Sequence, residues 1–214
     1  MSLTRSSREN GSFATLRQFM RPPAPLEHCD LCSLALAPEH QHLLEPLGRQ
    51  LLCCCDPCAI LFSGAQGAKY RRVPRRVRFL PDFRLTDAQW EGFYIPIGLA
   101  FIVQTTSSER AIAFYPSPAG AVESLLTLEA WRELVQENPI LQELETDVEA
   151  LLVNRVGQTR ECFCVPIDEC YKLVGILRAN WRGLSGGSEV WEEIGRFFTR
   201  LKEKSSPPGG GSHA

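Results

Sequence analysis

A chain of 214 residues with 44% apolar and 22% charged side chains has the make-up of a folded globular protein, not of a disordered or fibrous one. Its net charge of −2 argues against a strongly basic polyanion binder, and no apolar run reaches the roughly 18 residues of a membrane-spanning helix. Nine cysteines without a secretory signal point to metal ligation in the reduced cytoplasm, not to an exported disulfide scaffold.

The small net charge hides an asymmetry. Residues 1–80 carry 11 basic against 6 acidic side chains, and residues 81–214 carry 12 against 19. A basic front and an acidic back can attract each other or face different partners.

Residues 1–25 are polar and end in Arg21-Pro22-Pro23-Ala24-Pro25, which predicts a flexible N-terminal arm with a stiff hinge. Residues 26–62 form a Cys-rich module. Cys29-Asp30-Leu31-Cys32 is followed, after residues 33–54, by Cys55-Asp56-Pro57-Cys58. Two Cys-x-x-Cys pairs can each wrap a loop around one side of an ion and together supply the four thiolates of a structural zinc. Cys53, Cys54, His40 and His42 lie close in sequence and compete for, or support, the four positions, with Cys53, His40 and His42 as the alternate ligands. The gap holds Pro38, Pro46 and Gly48, which favours short turns over a helix. Ala59-Ile60-Leu61-Phe62 supplies apolar cover. Iron is the rival metal for the same thiolates. A rubredoxin-type knuckle usually carries Gly after its second Cys, and here Ser33 and Ala59 stand there, so zinc is favoured.

Residues 63–80 read as a basic linker with Lys69, Arg71, Arg72, Arg75, Arg76 and Arg78. Gly64-Ala65-Gln66-Gly67 matches the short loop of a KH domain, a weak signal at four residues. Few aromatic platforms accompany the arginines, so a protein partner or the acidic half is a better match than nucleic acid. Arg71, Arg72, Arg75, Arg76 and Arg78 are the candidate partner-binding residues.

Residues 81–204 carry the long periodic segments. Thr86 with Gln89 predicts a capping box and a short helix through Phe93. Ile97–Gln104 and Arg110–Tyr115 read as a hairpin, which Tyr115-Pro116-Ser117-Pro118-Ala119-Gly120 stops. Thr127 caps a helix ended by Asn138-Pro139. Asp147–Arg155 and Glu161–Val165 form a second hairpin around Gly157. Asp168 caps a helix to about Trp181. Ser188 caps the last one, where Val190, Trp191, Ile194, Phe197, Phe198 and Leu201 make an apolar stripe. Residues 205–214 form a Pro/Gly/Ser tail. The whole is an α+β fold: a small zinc-ribbon-like module followed by an antiparallel sheet with helices on one side.

Catalytic signatures fail on context. Gly183-Leu184-Ser185-Gly186-Gly187 spells a nucleophile elbow, but a helix and not a strand precedes it, and the only later histidine is His213. Cys162 and Cys164 share a strand face, and Cys170 falls in the first turn of a helix, where a thiol can be activated. Without a fourth ligand they read as core.

Several motifs together resemble the DUF5947 family. They are Cys29-x-x-Cys32, His40-x-His42-Leu43-Leu44, Leu52-Cys53-x-Cys55-x-x-Cys58, Ala113-Phe114-Tyr115-Pro116-x-Pro118-Ala119-Gly120, Val165-Pro166-Ile167-Asp168-x-Cys170-Tyr171-x-Leu173-Val174-Gly175 and Trp181-Arg182-Gly183. The resemblance spans about residues 27–203. It is to a bacterial family of unknown function whose members are often encoded beside uptake nickel–iron hydrogenase genes. It implies a hydrogenase-associated accessory role, with hydrogenase subunits as partners, and supplies no catalytic residue. Positions 162 and 164 are usually aromatic or aliphatic in similar proteins, which implies that Cys162 and Cys164 are incidental. The expectation is a non-enzymatic zinc-binding accessory protein that grips a protein partner. The alternatives are a rubredoxin-like iron electron carrier and a nucleic-acid-binding zinc protein.

Overall fold

The computed structural model describes residues 26–63, 68–107, 110–124, 126–183 and 186–205. The N-terminal arm, the Gly64–Gly67 match, Leu184 and Ser185 of the elbow-like stretch, and the tail beyond residue 205 lie outside the described residues.

The Cys-rich module is built on a hairpin. β1 (Gln41–Glu45) pairs antiparallel with β2 (Gln50–Cys54), with Arg49 in the left-handed region (φ 50) at the turn. Helix α1 (Asp56–Ser63) follows at once. The gap between the Cys pairs therefore holds a hairpin and no helix, as its turn residues predict. The basic stretch after α1 is structured. β3 (Arg71–Arg72) adds to β1, and β4 (Arg78–Phe79) adds to the large sheet through β9 (Glu161–Pro166). Strands this short leave no period-2 signal to read.

The large sheet has the order β4-β9-β8-β5-β6-β7, and every neighbouring pair is antiparallel. It comprises β5 (Leu99–Thr105), β6 (Arg110–Ser117), β7 (Gly120–Ser124), β8 (Glu149–Asn154) and β9. β6 runs on through Pro116, where the sequence predicted a stop, and β7 returns beside it. Pro116 is tolerated because β6 is paired with β5 only as far as Phe114, so the missing N–H faces no partner there.

β5 and β8 are buried on both faces, so both faces need cover. The two longest helices, α4 (Ile167–Asn180) and α5 (Gly187–Lys204), share one face. Leu173, Leu177, Ile194, Phe197 and Leu201 pack there against Phe101, Val103, Leu152 and Phe163. The opposite face carries a thinner cover. It consists of α2 (Asp87–Glu91), α3 (Leu128–Glu137) and a 3-10 turn (Pro139–Glu143), packed over Ile102, Ala113, Leu151 and Val153. Thr86 and Gln89 form the capping box, and the Thr127 hydroxyl caps α3 at Ala130 N.

Two predicted caps act otherwise. α4 begins at Ile167 behind Pro166, so Asp168 lies inside the first turn and its carboxylate is free for a tertiary contact. α5 begins at Gly187 behind Gly186 (φ 87), one residue ahead of Ser188.

The hairpin serves two cores. Successive strand residues face opposite ways. Leu43 and Cys54 pack with the module's cysteines, whereas Leu44 joins the core under α4 together with Val73 and Val77, and Leu51 packs against it. Leu44 is 3% exposed. Leu44→Ala is expected to destabilise the chain by about 2–5 kcal/mol. Denaturant unfolding followed by the emission of the tryptophans, all of which lie beyond residue 80, measures it. An unchanged midpoint would mean that the hairpin does not share that core.

Candidate metal centre

The sulfurs of Cys29, Cys32, Cys55 and Cys58 lie within 4.8 Å of one another, and Cys32 Sγ is 3.7 Å from Cys55 Sγ. Sulfurs at the corners of a tetrahedron with metal bonds of ~2.3 Å stand about 3.8 Å apart. The cluster has the dimensions of a tetrathiolate shell and could hold a metal ion. Cys29, Cys55 and Cys58 are buried, and Cys32 is exposed.

Local sequence builds each half. In the first, Ser33 N donates to Cys29 O at 2.7 Å and Cys29 N donates to Leu34 O at 2.8 Å, closing a tight knuckle. Ser33 takes the left-handed conformation (φ 61) that Gly would favour, so the lack of Gly after Cys32 does not keep the turn from forming. The second pair sits at a helix start. Cys55 precedes α1, Ala59 N donates to Cys55 O at 2.9 Å, and Cys58 falls in the first turn. Pro57 is tolerated there because first-turn N–H groups lack helical partners. Asp30 joins the halves: its carboxylate accepts from Cys53 N at 2.7 Å, and its N–H donates to Cys53 O at 2.9 Å.

The thiols resist common ionisation without a cation. Burial pushes the Cys58 thiol well up, and the neighbouring cysteines add to this. At Cys32 the Leu34 N–H favours the thiolate, but Cys29 and Cys55 outweigh it and raise the group. Cys29 is the exception. Burial opposes its ionisation, yet N–H donors of Cys55, Leu31 and Cys32 bring it down to about 6. An ion binding here must displace protons from the raised thiols.

Cys53, His40 and His42 do not enter this shell. They form a second group, whose candidate ligand atoms also lie within 4.8 Å of one another. His42 faces Cys53 across the hairpin and contacts Asp168 of α4. No signal in the sequence announced that contact. Burial works against the Asp168 carboxylate, but His42 and Lys172 outweigh it and hold it below the usual range.

Four of the five candidate arginines are engaged within the chain. Arg76 grips the buried Glu149 with two bonds of 2.7 and 2.8 Å and reaches Glu145 at 3.2 Å. Arg78 pairs with Glu143 at 2.5 Å, Arg71 with Thr146 O and Asp147, and Arg72 with Gln41. Arg75 has no side-chain partner among the described residues.

The remaining thiols are core. Cys162 and Cys164 lie under the thin cover, while Cys170, a residue of α4, is buried on the other face. The sheet separates them. Burial raises Cys162 to about 12 and Cys164 to about 11. Burial and the adjacent Asp168 and Glu169 likewise push Cys170 far up, so its place near a helix start does not activate it.

The expected apolar cover from α1 is only partly provided. Ala59 is buried, but Ile60, Leu61 and Phe62 are 67%, 74% and 40% exposed.

A tetrathiolate site must lose its metal on acidification, because protons compete for the same sulfurs. A bound ion is expected to leave with a pH dependence steeper than one proton per ion, followed with a chromogenic chelator. Release independent of pH would refute thiolate ligation.

Among the described residues no helix is long and apolar enough to cross a membrane. Searches among curated proteins and among solved structures return no match. The model of a family of unknown function, DUF5947, matches residues 28–205, taking in both Cys pairs, the hairpin and the large sheet. The chain belongs to the DUF5947 family.

Proposed function

We propose that this protein is a non-enzymatic accessory protein of the cytoplasm, in which Cys29, Cys32, Cys55 and Cys58 hold a zinc ion and the module so fixed presents α1 to a protein partner. One observation carries the reading. α1 starts at the second Cys pair, and its Ile60, Leu61 and Phe62 stand exposed among the described residues. An apolar cluster on a metal-fixed helix matches the buried centre of a protein interface better than a nucleic-acid surface. The arginines give nucleic acid little to hold, since Arg71, Arg72, Arg76 and Arg78 have partners inside the chain. Arg75, on the wall of the cavity lined by His40 and His42, is the one of the five left without a side-chain partner among the described residues. The resemblance makes nickel–iron hydrogenase subunits, met during assembly or operation, the first partners to test.

The iron reading keeps one supporting observation, the left-handed Ser33. The second pair departs from that pattern, because Ala59 continues into a helix.

Two results test the proposal together. The purified protein is colourless and loses one zinc per chain on Cys29→Ser, by elemental analysis. Leu61→Asp leaves metal and fold intact but abolishes co-purification of hydrogenase subunits from the native host. A red protein containing iron would favour the electron carrier, and subunits retained by Leu61→Asp would place the partner elsewhere.

A further inference from the structure

We infer that His40, His42 and Cys53 form a second metal site, separate from the four-cysteine cluster, that takes a zinc-class divalent transition ion with three protein ligands. Strand register brings these side chains together. His42 lies directly opposite Cys53 in the β1–β2 pair, and His40, two residues before His42, falls on the same pleat face. The two imidazole centroids are 4.8 Å apart. One ring nitrogen of each histidine and the Cys53 sulfur lie within 4.8 Å of one another.

The hydrogen bonds behind these rings decide which atoms are left to ligate. A ligating histidine nearly always donates its other ring N–H to a carbonyl or a carboxylate, which fixes its tautomer and orientation. Both rings do so here. His40 Nδ1 lies 2.9 Å from Ala37 O, and His42 Nδ1 lies 3.1 Å from Asp168 Oδ2. Both acceptors lack a proton to give, so each Nδ1 carries the hydrogen, and in the neutral ring Nε2 is the atom with the lone pair for an ion. His40 Nε2 is buried without any hydrogen-bond partner, with the Glu27 carboxylate 3.5 Å away. A buried ring nitrogen without a hydrogen bond is costly, and an ion would satisfy it with the Glu27 carboxylate close by.

The donor set selects the ion. Two imidazoles and a thiolate suit zinc, cobalt, nickel or copper, not magnesium or calcium. Three protein ligands leave the fourth tetrahedral position open, in contrast to the closed shell of the four cysteines. Both histidines line a cavity of about 680 Å³ between the module and α4, with Asp168, Tyr171, Lys172 and Arg75 also on its wall. A water molecule or another small ligand could reach the open position from there. The site also spans the two parts of the fold, since Asp168 of α4 orients a histidine of the hairpin.

The test uses the full chain, reduced, saturated with zinc and desalted. Two zinc ions per chain are expected by elemental analysis. The double variant His40→Ala/His42→Ala retains one ion and an unchanged circular dichroism spectrum. X-ray absorption at the zinc edge of the unaltered protein is expected to report five sulfurs and two imidazole nitrogens shared over two ions, a reading that needs no variant to fold. One ion per chain with an all-sulfur shell, or two ions still bound by the double variant, would overturn the proposal.

Discussion

The architecture depends on one hairpin that must satisfy two cores at once. β1 and β2 alternate their side chains, so Leu43 and Cys54 close the cysteine cluster while Leu44 and Leu51 seal the core under α4. A one-residue slip of either strand would turn each set toward the other's core. The Cys-rich half therefore shares its hairpin with the core under α4. The geometry of its sulfurs and the packing of the large sheet constrain the same ten paired residues.

Charge reinforces that joint. The basic stretch after α1 contributes a strand to each sheet, and its arginines reach the acidic half. Glu149, with its side chain fully buried, accepts two bonds from Arg76 and one from Glu145 N. Such a carboxylate tolerates burial only while these donors stay in place. The opposite charges of the two halves thus act inside the fold, and among the described residues the apolar side chains of α1 are exposed beside the cysteines.

How much of this could be read from the sequence follows from how local each signal is. The Cys pairs, the Thr86–Gln89 capping box and the α5 stripe of Val190, Ile194, Phe197, Phe198 and Leu201 depend on neighbours a few residues away, and all appear in the structure. What stayed hidden depends on distant partners. β3 and β4 have two residues each and exist only because β1 and β9 lie beside them. β7 follows a proline that looked like a stop. Asp168 looked like a helix cap, and its contact with His42 is a meeting of residues far apart in the chain. The exposure of Ile60 and Leu61 likewise could not be seen in a run that reads as core.

The central claim is that metal ligation by the cysteines holds the knuckle and α1 in place on a hairpin anchored by the large sheet. Hydrogen exchange of the full chain, measured by mass spectrometry before and after metal removal with a chelator, tests it most directly. The account predicts that amides of residues 29–34 and of α1 lose protection on metal removal and regain it with zinc, while β5, β8 and β9 keep theirs. Unchanged protection around the cysteines, or an equal loss across β5, β8 and β9, would contradict it.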